Sequence, residues 1–311
     1  MNTELYHDPE FESLVRIITS GDCIAFIGSG LSTSNYPSWD NLIIELCQKC
    51  DIPVPSIAPG QKIDPAILMQ LADEAKQRNS GAYCEVLAKQ FGKPVVQTRR
   101  AYDLLMRLPF KGFITINFDP LLATESRKPE FKCNGVYKFP SLPSHMIEHR
   151  SVFYLHGYIA ENTTPGPDEI ILGSNDFLRA YEDANSLLPS FLTQLLTFHH
   201  ILFIGCGLRE EPLKRIFNRC YQIRRQIEIE YVASAPSRYS LQPMHIIKTE
   251  KEELVRNLEF EKDENKRFEE FEIKVLRYHP KDEEHSAIEE ILEKMISLKP
   301  VDIRSGFEGV L

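Results

Sequence analysis

Residues 23–27, Cys-Ile-Ala-Phe-Ile, carry no polar side chain and break directly into Gly28-Ser29-Gly30. A β-prone run this short, apolar at every position, is what a strand buried on both faces looks like. Burial on both faces is the condition of a parallel sheet covered by helices. Six further segments read as candidate strands, and most of the set are short apolar runs: Gly112–Ile116, Val152–Leu155, Glu169–Leu172, Ile201–Ile204, Glu228–Val232 and Phe271–Tyr278. Helical patterns lie between them, and this alternation predicts an α/β fold, a doubly wound Rossmann-like parallel sheet.

Three helical patterns separate the first two strands. Asp64-Pro65 opens one, with Asp as N-cap and Pro in the first turn, and it runs to about Arg78, where Asn79-Ser80-Gly81 ends it. A second continues to Gln90 and a third runs from Thr98 to Leu108. Residues 51–111 therefore read as a small helical insertion in a single domain spanning 1–311. Lys248–Arg267 reads as a charged, exposed helix, and Ser286–Leu298 as a closing amphipathic one.

The net charge of −9, from 36 basic and 45 acidic residues, argues against general nucleic-acid binding, which needs clustered Lys and Arg. No run is long and apolar enough to span a bilayer and the N-terminus is polar, so the expectation is a cytoplasmic protein without a membrane partner. The seven cysteines are scattered. Cys47 and Cys50 form the one CxxC pair, with no second pair or His at zinc spacing, so they read as core residues and no metal is expected.

In open α/β sheets ligands bind beyond the C-terminal ends of the strands. Four motifs fall there. Gly28-Ser29-Gly30 can bring backbone close to a pyrophosphate, or can simply be a tight turn. Asn117 and Asp119 follow the second strand at alternate positions and point the same way; Asp119 equally suits the cap of a helix beginning at Pro120. His156-Gly157 ends another strand, where an imidazole with an ordinary pKa suits a general base. Gly205-Cys206-Gly207 is a second glycine-rich strand end, on the other side of the Asn and His, which suggests a nucleotide held at both ends.

In this order the motifs resemble the sirtuin superfamily. Gly28-Ser29-Gly30-Leu31-Ser32 is similar to its Gly-Ala-Gly-Ile-Ser loop, Thr115-Ile116-Asn117-Phe118-Asp119 to its Thr-Gln-Asn-Ile-Asp, and Leu155-His156-Gly157 to its His-Gly. Tyr36-Pro37-Ser38-Trp39, Ile171-Leu172-Gly173-Ser174-Asn175-Asp176-Phe177 and Phe203–Arg209 resemble the bacterial sirtuin-like NADases of antiphage defence more closely. The deacylating sirtuins carry a zinc ribbon of two CxxC pairs after the His. Here only Cys206 and Cys220 follow His156.

The resemblance implies hydrolysis of NAD to nicotinamide and ADP-ribose, without zinc. It implies that Asn117 holds the ribose or the attacking water, His156 acts as base and Asp119 supports them. Gly28, Ser29, Gly30 and Ser32 would cradle the pyrophosphate, with Gly205, Cys206 and Gly207 at the adenosine half. Such an enzyme must be restrained, and with the core taking almost all 311 residues the expectation is a homo-oligomer or a separate regulatory protein. By resemblance that partner is a HerA-type ATPase, a short Argonaute or a nucleotide-sensing enzyme. Two other functions fit the same motifs: a sirtuin-type protein deacylase or ADP-ribosyltransferase, and a module that senses NAD or ADP-ribose without cleaving it.

Overall fold

Strand β1 (Cys23–Ile27) is buried at all five positions, and its side chains divide between two apolar layers. Cys23, Ala25 and Ile27 pack with Leu14, Ile18, Leu105 and Ile291 on one face of the sheet. Ile24 and Phe26 pack with Phe191, Leu195 and Phe217 on the other. That division is the period-two alternation of a strand with helices on both sides. The computed structural model describes residues 2–32, 35–55, 63–95, 99–206, 211–231, 237–243, 268–279 and 286–298. Among these, β1 is joined by β2 (Gly112–Thr115), β3 (Val136–Lys138), β4 (Val152–Tyr154), β5 (His200–Ile204), β6 (Arg238–Pro243) and β7 (Ile273–Tyr278). The sheet order is β3-β4-β2-β1-β5-β6-β7 and every pair is parallel.

Helices Pro9–Thr19, Arg100–Arg107 and Ala287–Ser297 supply the first layer, and Leu188–Phe198 and Glu211–Tyr231 the second. Helices Trp39–Lys49, Pro65–Arg78 and Ser80–Phe91 gather around a third apolar cluster that includes Leu46, Leu71, Leu87 and the loop residues Ile170 and Leu172. Asp64 caps Pro65–Arg78 by accepting the Ala66 N–H at 2.8 Å. Asn79 does more than stop that helix: its side chain accepts the Ala82 N–H at 3.0 Å and caps the next one. Among the described residues no helix is long and apolar enough to cross a membrane.

The structure departs from the sequence reading in four places. Glu169–Leu172 is not a strand. Ile170, Ile171 and Leu172 are buried, but as a turn-rich segment, with Ile170 and Leu172 in the third cluster and Ile171 in the second layer, its backbone tied by Ile171 N–H to His156 O at 3.0 Å. Residues 228–231 are not a strand either, because they end the helix Glu211–Tyr231, whose apolar side chains Leu213, Ile216, Phe217 and Cys220 repeat at helical spacing, and Val232 lies outside the described residues. Strand β3 is a three-residue edge strand with half-buried side chains and so carries no apolar signal. Strand β6 was hidden by its polarity: Arg238 is fully buried and donates to Phe271 O at 2.7 Å and Leu196 O at 2.9 Å. The charged segment Lys248–Arg267 lies outside the described residues.

Candidate active site

The parallel register aligns four strand ends in one row. Tyr154 pairs with Thr115, Thr115 with Ile27, and Ile27 with Ile204. Each of these residues closes its strand, so His156, Asn117, Gly28 and Gly205 all emerge along one edge of the sheet. Strands β2 and β4 lie to one side of β1 and β5 to the other, so this edge spans the point at which the chain reverses its direction of winding.

The glycines are needed first by each other. Gly28 N–H donates to Ile204 O at 2.9 Å and Gly30 N–H to Gly205 O at 3.1 Å. A Cβ on Gly28 would lie 2.4 Å from Gly205 O, and one on Gly30 would lie 2.9 Å from Gly205 Cα. Gly205 itself has φ +67°, a conformation that L side chains avoid. The two turns are packed backbone to backbone, which brings the ends of β1 and β5 together. A single 3₁₀ turn, Ser29–Leu31, follows Gly28, and the next described α-helix begins only at Trp39, capped by Ser38. Ser29 is exposed on that turn. The Cys206 thiol is buried against Phe26 O and Ile204 O, and Gly207 lies outside the described residues.

Asn117 is placed by Thr115. The Thr115 hydroxyl donates to Ile27 O at 2.8 Å and accepts the Asn117 N–H at 3.0 Å. Beyond it lies a buried network centred on Ser32, whose hydroxyl is 2.9 Å from Asp119 Oδ2, 2.7 Å from the Tyr102 hydroxyl and 3.2 Å from Asn117 Nδ2. Ser32 has one proton, and the carboxylate takes it. Tyr102, which burial keeps protonated, must then donate to Ser32, and Asn117 must present its NH₂. The amide orientation follows: Asn117 Oδ1 is left buried and without a partner among the described residues. Asp119 Oδ1 accepts the Leu121 N–H at 3.1 Å, so the carboxylate both caps the helix Leu121–Ser126 and holds Ser32. Ser32 is thus committed to this network through its side chain.

His156 stands in a second buried cluster. Its Nε2 is 2.7 Å from the Tyr181 hydroxyl, and its ring meets Phe177 and Tyr181 edge-to-face at 5.2 and 5.8 Å. No hydrogen bond joins it to Asn117 among the described residues. Tyr102 and Tyr181 carry no motif signal; they reach the site only through tertiary packing, although Phe177 and Tyr181 sit four apart on one helix face.

Burial raises Asp119 to about 6 and lowers His156 to about 3. The imidazole therefore does not keep the ordinary pKa that the sequence reading gave it. The two groups act in opposite senses on stability. Asp119 holds a proton when folded that it has released when unfolded, so its contribution is present at low pH and lost as pH rises through about 6. His156 resists protonation when folded, so its contribution is present above the ordinary value of 6.5 and lost as pH falls. Removing the imidazole should remove the second effect. On lowering pH from 7 to 5, His156→Gln should lose about 2 kcal/mol less stability than the unmodified chain, measured by urea unfolding.

Among the described residues no three His, Cys, Asp or Glu side chains converge for a metal ion. Residues 111–265 match the model of the SIR2-like domain family. This stretch holds Asn117, Asp119, His156 and Gly205, while Gly28-Ser29-Gly30 precedes it. No curated protein matches the chain. Among solved structures it is similar to one determined for the mechanism and regulation of Sir2 enzymes, with 11% identity, TM-score 0.41, and coverage of 93% of this chain and 97% of the other. It is also similar to a Sir2 homologue mutant in complex with 2′-O-acetyl ADP ribose, with 9% identity, TM-score 0.43, and coverage of 94% and 99%.

Proposed function

We propose that this protein is an NAD glycohydrolase that cleaves the bond between nicotinamide and ribose. The observation that carries the reading is the unpartnered, buried Oδ1 of Asn117, oriented by Ser32 and placed at the switch point of the sheet. A buried acceptor without a donor is costly, and a ribose hydroxyl or a water would satisfy it. A SIR2-like domain supports NAD as the molecule that brings that hydroxyl.

In this reaction the C–N bond breaks with its electron pair going to nicotinamide, which leaves as a neutral molecule and needs no general acid. Water adds its oxygen to the ribose carbon, and one proton is released to solvent through His156. A weak base is adequate, because water bonding to a carbon with oxocarbenium character becomes strongly acidic. The neutral imidazole that burial maintains suits that task. Asn117 aligns the ribose or the water, and Asp119 holds Ser32 and thereby Asn117. Ser29, exposed on its turn, is the hydroxyl of that loop available to phosphate.

The absence of paired cysteines after His156 in the sequence favours water over an acyl-lysine peptide as the acceptor. Free NAD hydrolysis would be toxic, so the activity belongs to a restrained effector, such as one that depletes NAD in antiphage defence when a partner or self-assembly releases it. The purified chain should release nicotinamide from NAD equally with and without an acetyl-lysine peptide. Release only in the presence of the peptide would establish a deacylase instead, and NAD binding with no release in either case would establish a sensor.

A further inference from the structure

Beside the tyrosine that meets His156, a cleft of about 160 Å³ opens between three helices, Ser174–Tyr181, Leu188–Phe198 and Glu211–Tyr231. Tyr181 forms part of its wall, and the Tyr181 hydroxyl lies 2.7 Å from His156 Nε2. Arg215 and Arg219, four residues apart on one helix, line the same cleft. One acid shares it: Glu182, the residue after Tyr181, accepts Arg215 Nη1 at 2.5 Å. Arg219 is exposed and makes no ion pair among the described residues. Thr193 adds a second unmet donor. A helical threonine can turn its hydroxyl back to a carbonyl one turn earlier, but Thr193 Oγ1 is buried with no partner among the described residues. Pro189 brings the first turn of helix Leu188–Phe198, the positive end of its dipole, to the same place. Donors and positive charge therefore exceed acceptors here.

We propose that this cleft binds a phosphoryl group, and that its occupant restrains the enzyme through Tyr181. Two guanidinium groups and a hydroxyl suit a tetrahedral oxyanion, whose oxygens accept from several donors at once. A planar carboxylate is engaged by one arginine alone. Pockets for whole small molecules start at about 300 Å³, so 160 Å³ takes the phosphoryl group and leaves the rest of a mononucleotide outside. A bound phosphoryl group competes with Glu182 for Arg215, and the displaced carboxylate then faces a like charge. Glu182 caps helix Ser174–Tyr181, its N–H donating to Leu178 O at 2.9 Å, so its retreat draws Tyr181 away from the imidazole. The Arg215–Glu182 pair, with side chains 61% and 43% exposed, opposes that exchange only weakly. The effect on turnover rests on the reading of His156 as the base; the binding site does not.

The test uses the full chain and reads binding apart from catalysis. Inorganic phosphate should raise Tm more than sodium chloride or sodium acetate at equal ionic strength. Adenosine monophosphate is the second probe: a larger shift than with phosphate identifies a nucleotide as the source, an equal one the free anion. With either probe, the part of the shift lost in Arg219→Gln belongs to the cleft, because phosphate held at Gly28-Ser29-Gly30 does not need Arg219. Thr193→Val keeps the side-chain shape and removes the hydroxyl. Both variants should weaken phosphate binding about tenfold in calorimetric titration. Phosphate should also lower kcat for nicotinamide release severalfold in the unmodified chain, and not in Arg219→Gln at the same concentration. Stabilisation no greater than with acetate, or undiminished in Arg219→Gln, would overturn the site. Binding that depends on Arg219 but leaves turnover unchanged would overturn the restraint. A chain that releases no nicotinamide in any condition defeats the hydrolase reading, whereas the binding measurements still decide the site.

Discussion

Asn117→Ala is expected to lower nicotinamide release by about 10²–10³-fold, the usual cost of removing one preorganised group that meets the reacting centre. The same change should leave thermal stability nearly unaltered. It deletes the Nδ2 hydrogen bond to Ser32, but it also deletes a buried oxygen that has no partner among the described residues. Loss of activity with retained stability is the mark of a group placed for a ligand rather than for the fold. A Tm that fell in step with the activity would instead make Asn117 a structural residue. Kinetics and calorimetry on one preparation separate the two.

Gly157→Ala is expected to have the largest effect on stability, about 3–5 kcal/mol and a Tm lower by roughly 10 °C. Gly157 has φ +81°, and an added Cβ would lie 2.1 Å from Glu169 O. Neither atom belongs to a flexible side chain, so the backbone of one segment or the other must move. The neighbouring Ile171 N–H donates to His156 O, so that movement also displaces the imidazole and activity falls with stability. Gly166→Ala is the control. A Cβ there comes no nearer than 3.4 Å to the Glu169 carboxylate, at an ordinary φ, and the change should cost less than about 0.5 kcal/mol.

The legibility of this chain follows the range of the interactions. Strands β1, β2, β4 and β5 could be read because burial on both faces leaves a run of apolar residues and nothing else. Those same four strands carry the motifs, so their alignment along one edge followed from the fold class. The misread elements are those in which tertiary context overrides composition. Arg238 and Ser240 are buried in β6, where carbonyls from Phe271 and Leu196 accept from the guanidinium, and no local pattern announces that. Glu169–Leu172 is as apolar as a strand because it lies in a packed loop.

At the site, Asn117, Asp119 and His156 were visible from their position after apolar strands. Their partners were not. Ser32 meets Asp119 across 87 residues and Tyr102 across 70, and such pairings are made by the sheet rather than by any neighbouring sequence. The glycines were recognised for a ligand that needs close approach, whereas Gly28, Gly30 and Gly205 already meet that requirement in one another. His156 does not keep an ordinary pKa for a physical reason also absent from the local sequence, namely its burial beside Phe177 and Tyr181.

The most direct test of the central claim is the fate of solvent oxygen when the purified chain turns over NAD in heavy-oxygen water. The account expects nicotinamide and ADP-ribose in equal amounts, with one labelled oxygen on the ribose carbon that carried nicotinamide, and loss of both products in Asn117→Ala. ADP-ribose transferred to protein, or NAD bound and recovered intact, would contradict it.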